Sequence, residues 1–186
     1  AAEIINPSFL ALNPEKNLLF AVSETGSADG DEGNLYSYVV AEQGELMPVD
    51  TIGTGGWAPC HVRVNRSGKL VLVSNYGGGV VSMYENSAGV LELKQKLTLE
   101  GSGNHPRQEA SHTHMTVLSP DERHLLVADL GANVIWNFSW DDNQMLYIPN
   151  NNQEKLKMDV EAGPRHMEFH PNGKLLAVIN ELGNSI

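Results

Sequence analysis

Four segments of this chain repeat one pattern at nearly constant spacing. They are FLALNPEKNLLFAVSE (Phe9 to Glu24), HVRVNRSGKLVLVSNY (His61 to Tyr76), HMTVLSPDERHLLVADL (His114 to Leu130) and HMEFHPNGKLLAVINE (His166 to Glu181). Successive starts lie 52, 53 and 52 residues apart. Each segment holds a short alternating apolar run, a polar turn of Pro, Gly or Asn, and a denser apolar run. That order reads as strand, turn, strand. A fixed period of this length marks a repeat architecture.

The stretches between the repeats are also strand-like. After Tyr76 come a GGG turn, VVSMYEN, SAG and LELKQKLTLEG; after Leu130 come GAN, VIWNFSW, DDNQ and MLYI. About four strands per period make the blade of a β-propeller. The expected fold is therefore all-β, with repeats at about 9–60, 61–113, 114–165 and an incomplete 166–186. The best helical candidate, NNQEKLKMDVEAG, is short and sits where a fourth strand belongs. At roughly 52 residues per blade, 186 residues make about 3.5 blades, fewer than the usual 4–8 of a closed ring. An open ring exposes sheet faces and edges. The expectation is a part of a longer chain, or a homo-oligomer that completes the propeller. Simple complementation between two copies fits poorly, because the end lacks outer strands while the start supplies an inner one.

Folding each repeat into a hairpin brings distant residues together. A turn centred on Gly173 would set Arg165 against Glu181 and His166 against Asn180; the same arithmetic sets His61 against Asn75 and His114 near Asp129. In a propeller these hairpin ends open on one mouth of the central channel. The candidates delivered there are Glu24, His61, Asn75, Tyr76, His114, Asp129, Arg165, His166, Asn180 and Glu181. The loop GSGNHPRQEASHTHM adds Arg107, Glu109 and His112. Each has a plainer reading beside the functional one. Asn75 and Asp129 can cap turns, a lone His can be a satisfied structural group, and an exposed Arg–Glu pair contributes ~0–1 kcal/mol. The recurrence of His at one structural position, beside an Arg and a Glu, favours function. His112 and His114 could share a face of a strand, but no third ligand at a recognisable spacing completes a metal site. No metal and no cofactor are expected.

A net charge of −11 argues against non-specific nucleic-acid or anionic-membrane binding. An anionic substrate would need a local basic site on this acidic body. The one cysteine, Cys60, forms no intrachain disulfide, and no run approaches a membrane span or a charged-then-apolar leader. A cytoplasmic protein is expected. ADGDEGN lacks the downstream Glu of a calcium loop, GGG at 77–79 lacks the Lys-Ser/Thr of a phosphate loop, and no G-x-S-x-G occurs.

NPSFLALNP, PCHVRVNRSGKLVLVSNYGGG, GSGNHPRQEASHTHM, ADLGAN and GPRHMEFHPNGKLLAVINEL together resemble the lactonase family of seven-bladed propellers. That family includes propeller-type 6-phosphogluconolactonases of the pentose phosphate pathway and the carboxymuconate lactonizing enzymes. The resemblance runs from Asn6 onward. It implies a cytoplasmic, metal-independent enzyme acting on a small anionic lactone or its open carboxylic acid, with seven blades. Matched by motif, it places an Arg on Arg165, a Glu on Glu181, and a His on His112 or His114. A further Arg of that pattern falls beyond Ile186. Hydrolysis of 6-phosphogluconolactone is the first expectation and lactonization the second. A non-enzymatic scaffold or an inactive fragment is the third. Glu181 or a neutral His112 or His114 would act as base, and Arg165 and His166 would hold the oxyanion or the substrate anion. Arg107 would add a second anion contact.

Overall fold

The computed structural model describes residues 3–186. These residues divide into two compact bodies, one ending at Thr98 and the other spanning Leu99–Ile186. All regular structure among the described residues is antiparallel sheet.

The first body holds two four-stranded meanders. One is β1 (Pro7–Leu12), β2 (Leu18–Ser23), β3 (Asn34–Val40) and β4 (Leu46–Gly53); the other is β5 (Trp57–Val64), β6 (Leu70–Gly77), β7 (Val80–Ser87) and β8 (Val90–Thr98). Strands pair in chain order within each sheet, as consecutive hairpins require. The core joins Phe20, Val22 and Leu35 of the first sheet to Val62, Val71, Val73 and Tyr84 of the second. Full burial of each such aliphatic or aromatic side chain contributes about 1.5–3 kcal/mol. The Tyr84 hydroxyl, carried into this core, donates to Gly53 O at 2.7 Å.

In the second body, β9 (Thr113–Leu118), β10 (His124–Asp129), β11 (Val134–Asp141) and β12 (Leu146–Pro149) form a third sheet, and β13 (Lys155–Lys157) also pairs with β11. A two-stranded hairpin follows, β14 (Pro164–Phe169) and β15 (Leu176–Asn180). It packs beside β9 and β10, burying Met167 with Met115, Val117, Ala128 and Ile135. The NNQEKLKMDVEAG stretch carries no helix. The outer strand of the third sheet is instead split, with β12 covering Phe138–Asp141 and β13 covering Val134–Trp136. The break falls on the asparagines at 150–152, where the Asn150 side chain accepts from Asn152 N at 3.0 Å in a local turn. Asn137 bridges the two pieces, accepting from Asn150 N and donating to Glu154 O.

All four repeat hairpins close alike. The amides of Lys16, Gly68, Glu122 and Gly173 donate to the carbonyls of Asn13, Asn65, Ser119 and His170, and each of those four donors has a left-handed backbone, with φ 57°, 73°, 58° and 70°. This four-residue loop centres the hairpin half a residue before the position expected from Gly173. The register moves accordingly: His166 lies opposite Ile179, not Asn180, and His61 opposite Ser74, not Asn75. A second irregularity recurs near the open end of every hairpin. The register slips between Pro7 and Phe9, between Pro59 and His61, between Thr113 and Met115, and between Pro164 and His166. The positions skipped by the register are Ser8, Cys60, His114 and Arg165. Such bulges re-aim a side chain out of the regular alternation.

Candidate active site

The second body gathers the densest set of ionisable groups. Arg165, on the β14 bulge, places Nε 2.7 Å from Glu181 Oε2. Arg107, on the loop before β9, places Nη1 2.5 Å from Glu181 Oε1. One carboxylate just past β15 is thus held by two guanidiniums from two other segments. Burial pushes the Glu181 carboxyl up, but the Arg107 hydrogen bond and the charges of Arg107 and Arg165 outweigh it and hold its pKa below the ordinary range. Both arginine side chains stay partly exposed, at 51% and 41%.

Two imidazoles lie against this cluster. The His114 and His166 rings meet edge to face, with centroids 5.2 Å apart. Arg165 Nη1 is 3.5 Å from His166 Nε2. Burial, then the positive charge of Arg165 and His166, lowers the His114 pKa to about 4, and burial with the Arg165 charge lowers that of His166 as well. His114 is therefore a neutral imidazole at pH 7. A hollow of about 600 Å³ opens beside Arg165, Asn180 and Glu181, within the size range of small-ligand sites. Asn180 donates from Nδ2 to Ser185 Oγ at 3.1 Å.

The structure separates the two histidines that spacing alone leaves equivalent. His114 faces Arg165, His166 and Glu181. His112 turns to Glu109, with Nε2 3.2 Å from Oε1. Glu109 is exposed, and a hydrogen bond from its own backbone, together with that from His112, holds its carboxyl low. Asp129 is fully buried and engaged on both oxygens. Oδ1 accepts from His112 N and Ala132 N, both at 2.8 Å; Oδ2 accepts from Ser111 Oγ at 2.5 Å and Trp136 Nε1 at 2.9 Å. With four donors on it, Asp129 shapes the loop at 111–112 and has little acceptor capacity left for a ligand.

The remaining candidates belong to the first body. His61 is buried with its ring 4.5 Å from that of Phe9. Asn75 is buried and donates to Thr54 O and Val80 O, both at 3.2 Å. Glu24 and Tyr76 are half-buried just beyond β2 and near the end of β6, with Glu24 bound through its backbone to Asn6. Among the described residues, no three His, Cys, Asp or Glu side chains gather to hold a metal ion.

Two residues of the second body, Gln108 and Asn133, were not among the expected site residues. Gln108 is fully buried, accepts from His105 N at 3.1 Å, and donates to Leu130 O at 2.8 Å and Asn133 Oδ1 at 3.2 Å. Asn133 also receives Gly163 N at 2.9 Å. A polar residue inside a Gly-rich loop is a weak signal, and nothing in the spacing pairs these two.

The family model described as "Lactonase, 7-bladed beta-propeller" matches residues 1–186. The chain belongs to that family. It is 28% identical to the 6-phosphogluconolactonase of Bacillus subtilis over all of its length and 52% of the relative's. It is 31% identical to the 6-phosphogluconolactonase of Formosa agariphila over 98% of this chain and 52% of the relative. The structure of the periplasmic gluconolactonase of Pseudomonas aeruginosa superposes with a TM-score of 0.89 at 27% identity, covering 98% of this chain and 53% of that one. This lactonase-family chain thus spans about half the length of the relatives it matches. Its described residues form three four-stranded blades, one with an extra strand, and a two-stranded hairpin, in a family of seven-bladed propellers.

Proposed function

We propose that the complete polypeptide hydrolyses a small anionic sugar lactone, with 6-phosphogluconolactone the first candidate. The observation that carries this reading is the convergence of Arg107 and Arg165 on Glu181, beside the neutral imidazole of His114. Ester hydrolysis needs a base to take a proton from water and donors for the oxyanion that forms at the carbonyl carbon. His114 is the base in this scheme. Glu181 is a poor one, because two guanidiniums hold its charge. Arg165 faces the developing oxyanion, and Arg107 takes the phosphate or carboxylate, a task suited to a planar fork. Water adds to the carbonyl as His114 removes its proton. The tetrahedral intermediate then expels the ring oxygen, which takes the proton back from the imidazolium, leaving the open hydroxy acid.

Charge neutralisation links binding to chemistry. The Arg165 charge depresses the His114 pKa in the free protein. A bound anion offsets that charge and raises His114 toward the range where it is an effective base. A protein-binding scaffold is disfavoured, because such a surface is broad and apolar, and the Arg107–Glu181–Arg165 cluster is charged. A small lactone or its open acid is the partner in this reading. The expected compartment is the cytoplasm, although the P. aeruginosa neighbour is a periplasmic protein of the same fold.

The test is turnover measured against the spontaneous rate: hydrolysis of 6-phosphogluconolactone and of glucono-lactone, and lactonization of a carboxymuconate. The reading expects a clear preference for the phosphorylated lactone. Turnover of carboxymuconate alone would move the assignment to lactonization, and no acceleration of any of the three would overturn it.

A further inference from the structure

The two arginines reach Glu181 from separate loops, so something must fix the distance between those loops. The connections form a closed circuit. Arg107 is followed by Gln108, whose buried amide donates to Asn133 Oδ1 at 3.2 Å. The same oxygen accepts from Gly163 N at 2.9 Å. Gly163 O in turn accepts from Glu181 N at 2.8 Å, and Glu181 returns to Arg107 through its carboxylate. Arg165 lies two residues beyond Gly163. Asn133 Nδ2 donates to Asp159 O at 2.8 Å, so the side-chain amide is held at both its oxygen and its nitrogen, and the Asn133 backbone carbonyl accepts from Met158 N at 3.1 Å. One asparagine oxygen therefore joins the Arg107 loop to the segment carrying Arg165 and Glu181.

We infer that Asn133 is a positioning residue, whose side-chain oxygen sets the spacing of Arg107 and Arg165 and thereby the recognition of an anionic substrate. The inference rests on the proposed lactonase reading for its kinetic consequence. The position has a second demand, because Asn133 has a left-handed backbone with φ 57°. Asn is among the few residues that accept this conformation readily, so backbone and side-chain roles must be separated. Glycine keeps the backbone and removes the oxygen. Aspartate keeps an acceptor for both Gln108 and Gly163, but replaces the donor to Asp159 O by a second carboxylate oxygen that repels that carbonyl.

Asn133→Gly and Asn133→Asp are therefore compared in the complete polypeptide. The expected result for Asn133→Gly is a fall in kcat/KM of about 10–100-fold on 6-phosphogluconolactone, with a much smaller fall on uncharged glucono-lactone, in line with misplacement of an anion clamp. Asn133→Asp should recover part of that loss, because it restores the acceptor for Gln108 and Gly163. An Asn133→Gly protein within about threefold of the parent on the phosphorylated lactone overturns the inference, as does an equal loss on both lactones. If the unaltered protein hydrolyses neither lactone, the lactonase reading falls and the clamp is judged by the crystal structure of Asn133→Gly. Loss of the Arg107–Glu181 contact supports it, and an unchanged contact overturns it.

Discussion

Glu181 sits between two guanidiniums, and that arrangement decides what its neighbours can do. It neutralises part of the positive charge that would otherwise disfavour binding a proton at His114. What remains, added to burial, still lowers His114 to about 4. The sign of the pH effect follows. Between about pH 6.5 and 4 the unfolded chain binds a proton at this residue and the folded chain does not, so stability is full above 6.5 and falls as pH drops through that window. His166, lowered for similar reasons, acts in the same direction. From pH 7 to pH 5, His114 alone should remove about 2 kcal/mol, and His114→Gln should flatten that part of the profile; denaturant titration across this range measures it. In kinetics, kcat/KM should hold steady down to about pH 5 and fall below it as the free imidazole is protonated. The acid limb of kcat should lie at higher pH, because the bound anion offsets Arg165. Coincident limbs would separate His114 from the chemistry. Ionisable residues were the legible part of the site in the sequence, because they stood out at hairpin ends. His112 and His114 remained equivalent there, since only the bulge and the folded neighbours distinguish them.

At the scale of the hairpin, the repeat period was enough to place all four strand pairs, and their turns share one geometry. The exact register was not legible. It depends on a loop with a left-handed fourth residue, and on a bulge that leaves no mark in hydrophobic alternation. The split outer strand was equally hidden, because three exposed β13 residues carry too little pattern to compete with a helical reading. The turn geometry yields a stability prediction. Lys16 has φ 57° where the second and fourth repeats use Gly68 and Gly173. Lys16→Gly relieves left-handed strain of ~1–2 kcal/mol against a backbone-entropy cost of ~0.4–1 kcal/mol, so a net gain of about 0.5–1 kcal/mol is expected in thermal unfolding. Gly163 shows the reverse. Its φ is +63°, and an added Cβ would lie 2.6 Å from Leu182 Cγ. Gly163→Ala should cost about 2 kcal/mol or more and displace Glu181, which is bonded to the Gly163 carbonyl. Calorimetry together with the lactonase assay checks both effects.

For the whole molecule, the net charge of −11 makes the arginine pair a local exception on an acidic protein. Charge alone does not draw an anion to this chain, so a built site has to do it. The family has seven blades, and the relatives carry them in chains about twice this long. The described strands account for three blades and one hairpin. An intact mass near twice 20.3 kDa is expected for the native polypeptide, and defined dimers of a 20.3 kDa chain would point to completion of the ring by a second copy. The central claim is that Arg165, held by Glu181 beside His114, is the functional centre. Its most direct test is the rate of 6-phosphogluconolactone hydrolysis by the complete polypeptide and by Arg165→Ala, each corrected for the spontaneous reaction. The account predicts a fall of about 100-fold or more with folding intact. An Arg165→Ala protein that folds and turns over at the parental rate would contradict it.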